Sequence, residues 1–184
     1  MDVLKTDAHC AALTYVKSAG IFSGYPDGTF RSWGVMNRVE TAKVVLLVFG
    51  KQILSDDGTN LGFRDVEIGA WYMPYLATAK SLGMVRGYGN LTVRPGEQIN
   101  RVELLKVFLA ASGKDFSHVT VGAAPYADTP FTSATSWYMP YVQYAKSNAL
   151  IDADEQDNFN PGEGMKRGDT AELFYRYHQA GLDQ

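Results

Sequence analysis

Three tandem copies of one pattern constrain this chain more than any other feature. Asp2-Val3 recurs as Asp65-Val66, and Lys17-Ser18-Ala19-Gly20-Ile21 recurs as Lys80-Ser81-Leu82-Gly83-Met84, each 63 residues on. Gly24-Tyr25 returns as Gly87-Tyr88, and Asn37-Arg38-Val39-Glu40 as Asn100-Arg101-Val102-Glu103, again at 63. Trp71-Tyr72-Met73-Pro74-Tyr75 returns as Trp137-Tyr138-Met139-Pro140-Tyr141 at a step of 66, as Arg101 does at Arg167, while Asp65 returns at Asp128 after only 63. The third copy therefore has an insertion between Asp128 and Trp137. Self-similarity at such a period marks one supersecondary unit used repeatedly. The copies divide the chain at 1–55, 56–118 and 119–184. A unit of about 60 residues buries too little apolar surface to stand alone. One integrated body with pseudo-threefold symmetry is the expected solution.

Each copy reads as helix, turn, helix, so the fold class is mainly α with six main helices. Trp71, Tyr75, Leu76, Ala79 and Leu82 follow an amphipathic period. Pro74 and Pro140 suit a first helical turn, and Gly20 and Gly83 suit left-handed helix stops. The segment Gly24-Tyr25-Pro26-Asp27-Gly28 is turn chemistry. Asn37 with Glu40, and Asn100 with Glu103, have the spacing of capping boxes that open a second helix. In the third copy Lys166 replaces the asparagine and offers no acceptor, and its helix is expected from Thr170 to about Ala180. The runs Val39 to Phe49 and Val102 to Ala111 are apolar on most sides, which predicts the buried centre.

Composition removes several function classes. The formal net charge is -3, without the basic excess that a nucleic-acid partner demands. No stretch reaches the length of a membrane span. One cysteine excludes an internal disulfide framework and a cysteine-cluster zinc site. His9, His118 and His178 share no metal spacing. Asp152, Asp154, Gln156, Asn158 and Glu163 imitate a calcium loop, but Asp157 stands where that loop needs glycine and Pro161 interrupts the following helix. No nucleophile elbow or phosphate loop occurs. Neither a metal, a cofactor nor a catalytic residue is expected.

The motifs Phe63-Arg64-Asp65-Val66, Trp71, Gly83, Gly24-Tyr25-Pro26-Asp27-Gly28-Thr29-Phe30 and Asn37-Arg38-Val39-Glu40 together resemble the S-layer homology (SLH) module, and the resemblance covers nearly the whole chain. It implies a three-pronged spindle around a central three-helix bundle. It also implies non-covalent attachment of a bacterial surface protein to the cell envelope. The ligand so implied is a secondary cell-wall polysaccharide, commonly pyruvylated, held in grooves between neighbouring prongs. By motif position the implied ligand-binding residues are Arg38, Arg101 and Arg167, with Trp71, Trp137, Asp65, Asp128, Gly24 and Gly87. The implied location is the cell surface, cell wall or S-layer. The chain is then expected to be a monomeric module of a longer exported protein, with any signal peptide outside this sequence.

Residue chemistry points the same way. A pyruvate ketal presents a carboxylate, and arginine offers a planar fork that matches it. First-turn positions for Arg38 and Arg101 would add free helix N–H groups. Trp71 and Trp137 suit either the core or the apolar face of a sugar. Gly24 and Gly87 would let a ligand reach the backbone. Glu40 and Glu103 read as caps, and Asp65 and Asp128 as helix caps or loop fixers.

The copies differ. Ala8 stands at the tryptophan position of the first, and Asp152-Ala153-Asp154 replaces Arg86-Gly87-Tyr88 in the third. Acids repel an anion, so the expectation is two competent grooves at Arg38 and Arg101, with Arg167 in doubt. The pairing of arginines with loops across copies stays open at this level. A protein-binding module of a surface layer is the alternative function, and a wall-processing enzyme a more distant one.

Overall fold

A computed structural model describes residues 9–55, 58, 60–121 and 123–183. Among them are six α-helices: α1 (Cys10–Ser18), α2 (Arg38–Val48), α3 (Met73–Ser81), α4 (Arg101–Ala111), α5 (Met139–Ser147) and α6 (Arg167–Gln179). No described helix is long and apolar enough to cross a membrane. The fold is the mainly helical one expected. Ala8, at the missing tryptophan, lies outside the described residues.

Local chemistry sets the helix ends. Both capping boxes form: Asn37 accepts from the Glu40 N–H and Asn100 from the Glu103 N–H, while the two glutamates accept from the asparagine N–H groups. Lys166 makes no side-chain cap, and α6 nevertheless starts at Arg167, three residues before the expected Thr170. Its first N–H groups are taken by carbonyls of another copy, as shown below. Pro74 and Pro140 sit in the first turns of α3 and α5. The amphipathic reading of α3 needs correction at both ends. Leu76 and Ala79 are buried, but Trp71 precedes the helix and Leu82 follows it, and both are exposed.

Packing does not follow the sequence copies. α3 lies against α2, α5 against α4, and α1 against α6. Each copy thus lends its first helix to the second helix of the copy before it, and α1 closes the circle onto the last. The second helices meet at the centre through aromatic rings. Phe108 of α4 stacks on Phe174 of α6 at 4.9 Å and meets the edge of Tyr177 at 5.0 Å. Phe49, the α2 C-cap, packs on Phe108 at 5.1 Å and on Tyr177 at 5.7 Å. Phe108, Phe174 and Tyr177 are fully buried.

The segments entering the three second helices are joined in a ring. The Met36 N–H donates to the Met165 carbonyl at 3.0 Å, the Met165 N–H to the Ile99 carbonyl at 2.9 Å, and the Ile99 N–H to the Met36 carbonyl at 2.9 Å. Antiparallel bridges Val35–Lys166, Asn37–Gln98 and Asn100–Gly164 flank it. Met36, Ile99 and Met165 are also buried. The pseudo-threefold symmetry expected from the repeat is therefore a closed set of main-chain bonds.

Gly20 and Gly83 end their helices at φ +70° each, and in the third copy Ala149 takes that place at φ +50°. A left-handed alanine is strained where glycine is not. Ala149→Gly is expected to stabilise the protein by about 1 kcal/mol, and Gly83→Ala to destabilise it by about as much. Urea denaturation midpoints at fixed cooperativity measure both.

Candidate functional site

The three motif arginines begin the three central helices, where N–H groups normally lack partners. Here the next copy supplies them. The Arg38 N–H donates to the Glu97 carbonyl at 3.0 Å, the Arg101 N–H to Glu163 at 2.8 Å, and the Arg167 N–H to Gly34 at 2.8 Å. The following residues repeat this, Val39 to Pro95, Val102 to Pro161 and Gly168 to Ser32. This corrects one expectation. The first-turn N–H groups of Arg38 and Arg101 are engaged, so any anion must be held by side chains.

The side chains show which loop each arginine serves. Arg38 Nε donates to the Val93 carbonyl at 3.0 Å, Arg101 Nε to Phe159 at 2.8 Å, and Arg167 Nε to Phe30 at 3.0 Å. Arginine of one copy thus meets the turn of the next, and Arg167 returns to the turn of the first. The acidic third turn, read from sequence as compromising Arg167, belongs with Arg101 instead.

The surroundings of the three arginines differ. Beside Arg167 is a groove of about 210 Å³, lined by Gly24, Tyr25, Glu40, Lys43, Trp71 and other residues of the first two copies. The Arg167 guanidinium lies 4.8–4.9 Å from the centres of the Phe22, Tyr25 and Phe30 rings and the residue is only 8% exposed. Among the described residues no carboxylate pairs with it, and both Nη groups are left over once Nε has bonded Phe30. A buried cation in this state costs free energy until an anion arrives.

Arg38 is less available. Its Nη1 donates to Glu103 Oε1 at 3.1 Å, and its guanidinium lies 5.3 Å from the Tyr88 ring centre. Arg101 faces a groove of about 190 Å³ lined by His9, Asp152, Asp169, Glu172 and Arg176. Its Nη2 donates to the Asp152 carbonyl at 3.1 Å. Arg176 clamps the Asp152 carboxylate at 2.7 and 2.6 Å, and its Nε donates to Glu172 at 2.8 Å. The Arg176 hydrogen bonds hold the Asp152 carboxyl below the usual carboxylate range, and Asp152 together with Glu172 raises Arg176.

The remaining sequence candidates divide by role. Asp65 accepts from the Val93 and Arg94 N–H groups at 2.9 and 2.6 Å, and Asp128 from Phe159 and Asn160 at 2.7 Å each. These carboxylates fasten the turns whose carbonyls receive the arginines. At Gly24 (φ +53°) a Cβ would meet the Thr29 carbonyl oxygen at 3.0 Å. At Gly87 (φ +73°) it would strike the Phe63 ring at 2.4 Å. The space these glycines free is thus filled by the protein itself. Trp71 and Trp137 are outside the core, 56% and 45% exposed. In the calcium-like segment Asp154 accepts from the Asn158 and Gln156 N–H groups, and the Asn158 and Asn160 side chains bond it as well. These bonds, led by Asn158, lower it to about 2.

Sequence reasoning passed over Lys43, Lys106, Glu172 and Arg176. Lys43 and Lys106 recur at 63 within the apolar runs, a signal available but read only as helix. Arg176 replaces Leu47 and Ala110 of the other copies, and its role appears only when the third turn folds onto α6.

Comparison with known proteins agrees with the repeat. The S-layer homology domain model matches residues 2–42, 62–105 and 132–171. The chain is 36% identical over 101 residues to a cellulosome-anchoring protein of Acetivibrio thermocellus, covering 53% of this chain and 22% of that protein. It is 25% identical over 169 residues to a surface-layer 125 kDa protein of Lysinibacillus sphaericus, covering 90% and 14%. A third similar protein is described as an uncharacterized cell wall amidase of Bacillus anthracis, 25% identical over 179 residues, covering 86% and 32%. The chain thus spans about a third or less of the length of these relatives.

The lowered Asp152 carboxyl has a pH consequence. A carboxylate held low when folded stabilises above the ordinary carboxylate range, and that contribution is lost as pH falls through the folded value. Asp152 is largely solvent-exposed, so screening keeps the effect to about 1 kcal/mol or less. Denaturation at pH 7 and pH 3 should show Asp152→Asn less stable than the unaltered chain at pH 7, with the difference shrinking at pH 3.

Proposed function

Because the chain belongs to the S-layer homology domain family, we propose that it is a non-catalytic binding module. In this proposal it anchors a larger exported protein to the bacterial cell envelope, at the cell surface. It does so by holding an anionic cell-wall polysaccharide in grooves between copies. The names of the surface-layer and cellulosome-anchoring relatives support the setting. The observation that carries the ligand class is Arg167, a guanidinium with 8% exposure and no carboxylate partner among the described residues, at the edge of an open groove.

A pyruvylated sugar suits this groove. Its ketal carboxylate is a small planar anion that the two free Nη groups of Arg167 can take together. Its ring offers an apolar face to Trp71, which stands exposed in the same groove. We assign Arg167 as the principal contact, with Tyr25 beside it. Arg38, with Tyr88 beside it, is the second contact, where a ligand must share the guanidinium with Glu103. Arg101 contributes least, since its groove is lined by carboxylates. Asp65, Asp128, Gly24 and Gly87 shape the turns, and Asn37, Glu40, Asn100 and Glu103 cap the helices.

The test is sedimentation of the chain with purified cell-wall material before and after chemical removal of pyruvate. Binding is expected to fall away after depyruvylation, and unchanged binding refutes the carboxylate mechanism. Arg167→Ala is expected to keep its circular dichroism and weaken binding by about ten- to a hundredfold, the value of a charged hydrogen-bond pair. Equal binding by that variant overturns the assignment.

A further inference from the structure

The position five residues into each central helix beyond its arginine holds Lys43 in α2, Lys106 in α4 and Glu172 in α6. Lys43 lines the Arg167 groove. Its ammonium lies 5.5 Å from the ring centres of both Trp71 and Tyr75. Lys106 stands over Trp137 at 5.0 Å, the same arrangement one copy on. Among the described residues neither ammonium has a carboxylate partner. In the Arg167 groove two cations, Arg167 and Lys43, thus face one carboxylate, Glu40. In the Arg101 groove three carboxylates, Asp152, Asp169 and Glu172, face Arg101 and Arg176. There Glu172 accepts from Arg176 at 2.8 Å and has His9 at 3.7 Å.

We propose that Lys43 and Lys106 are second anion contacts that define two working sites, and that Glu172 closes the third groove to anions. The inference rests on the anchoring function above and adds the charge that selects among grooves. An ammonium is a mobile point charge on a long stem. Over an exposed tryptophan face it is held by the ring quadrupole. A sugar seated on that face displaces it toward the sugar's acidic substituent, where it joins the arginine. The matching ligand is an acidic sugar unit with its apolar face on tryptophan and its anion between two cations. A groove with glutamate at this position repels the same unit, and Arg176 already spends its charge on Asp152 and Glu172.

Isothermal titration of the whole chain with a soluble pyruvylated disaccharide at low salt tests this. The unaltered chain is expected to bind at two sites. Lys43→Glu and Lys106→Glu should each remove one, and the double variant both, with melting temperatures reporting that the fold survives. Lys43→Gln, which keeps an unbranched polar side chain and removes the charge, should weaken its site by about tenfold. Lys43→Arg should retain it. Three equal sites in the unaltered chain, or full affinity in Lys43→Gln, overturns the inference. Loss of binding in Arg167→Ala with none in either lysine variant sinks the lysine assignment and leaves the anchoring function standing. Failure of the unaltered chain to bind the disaccharide sinks both.

Discussion

The structure depends on a ring of three main-chain hydrogen bonds, Met36 to Met165, Met165 to Ile99 and Ile99 to Met36. Its members come from different copies, so no copy can form it alone. The ring buries its own polar groups by pairing them, as an interior position requires. It also brings the starts of α2, α4 and α6 together, and the aromatic contacts of Phe49, Phe108, Phe174 and Tyr177 tie these helices further along. With the entry segments held, the turn of each copy lies against the helix start of the copy before it.

The motif arginines are structural struts as well as candidate ligand contacts. In all three copies the main-chain N–H and the Nε bind carbonyls of the next copy. What is left for a ligand is the far end of the guanidinium, and its availability differs. Arg167 keeps both Nη groups, Arg38 has given one to Glu103, and Arg101 has given one to the Asp152 carbonyl. One recurring arginine per copy therefore has three unequal surroundings. Fixing most of each guanidinium in advance also lowers the entropy that binding must remove.

Helix caps and the central location of the apolar runs were legible in sequence because they depend on near neighbours. Asn37 and Glu40 are three residues apart, and their capping box forms as the spacing says. The contribution of the third turn was misassigned for the opposite reason. Asp152 lies in the same copy as Arg167, and sequence proximity put the two together. The chain instead crosses over, so Asp152 meets Arg101 through its main-chain carbonyl across a span of 51 residues. Gly24 and Gly87 were read as openings for a ligand, whereas the packing of Thr29 and Phe63 against the missing Cβ is a contact that no spacing reveals.

By itself the sequence determined the number of copies, the helical class and the arginine that recurs in each copy. A repeat is a statement about local order, and local order decides propensity, caps and turns. Tertiary structure alone decided which arginine serves which turn, which guanidinium keeps a free fork, and that Lys43 and Lys106 stand over tryptophan. Those facts depend on the handedness with which the copies close around the ring. Each copy's first helix packs on the copy before it, and its turn receives that copy's arginine. A one-dimensional pattern with the same motif in every copy carries no record of that direction.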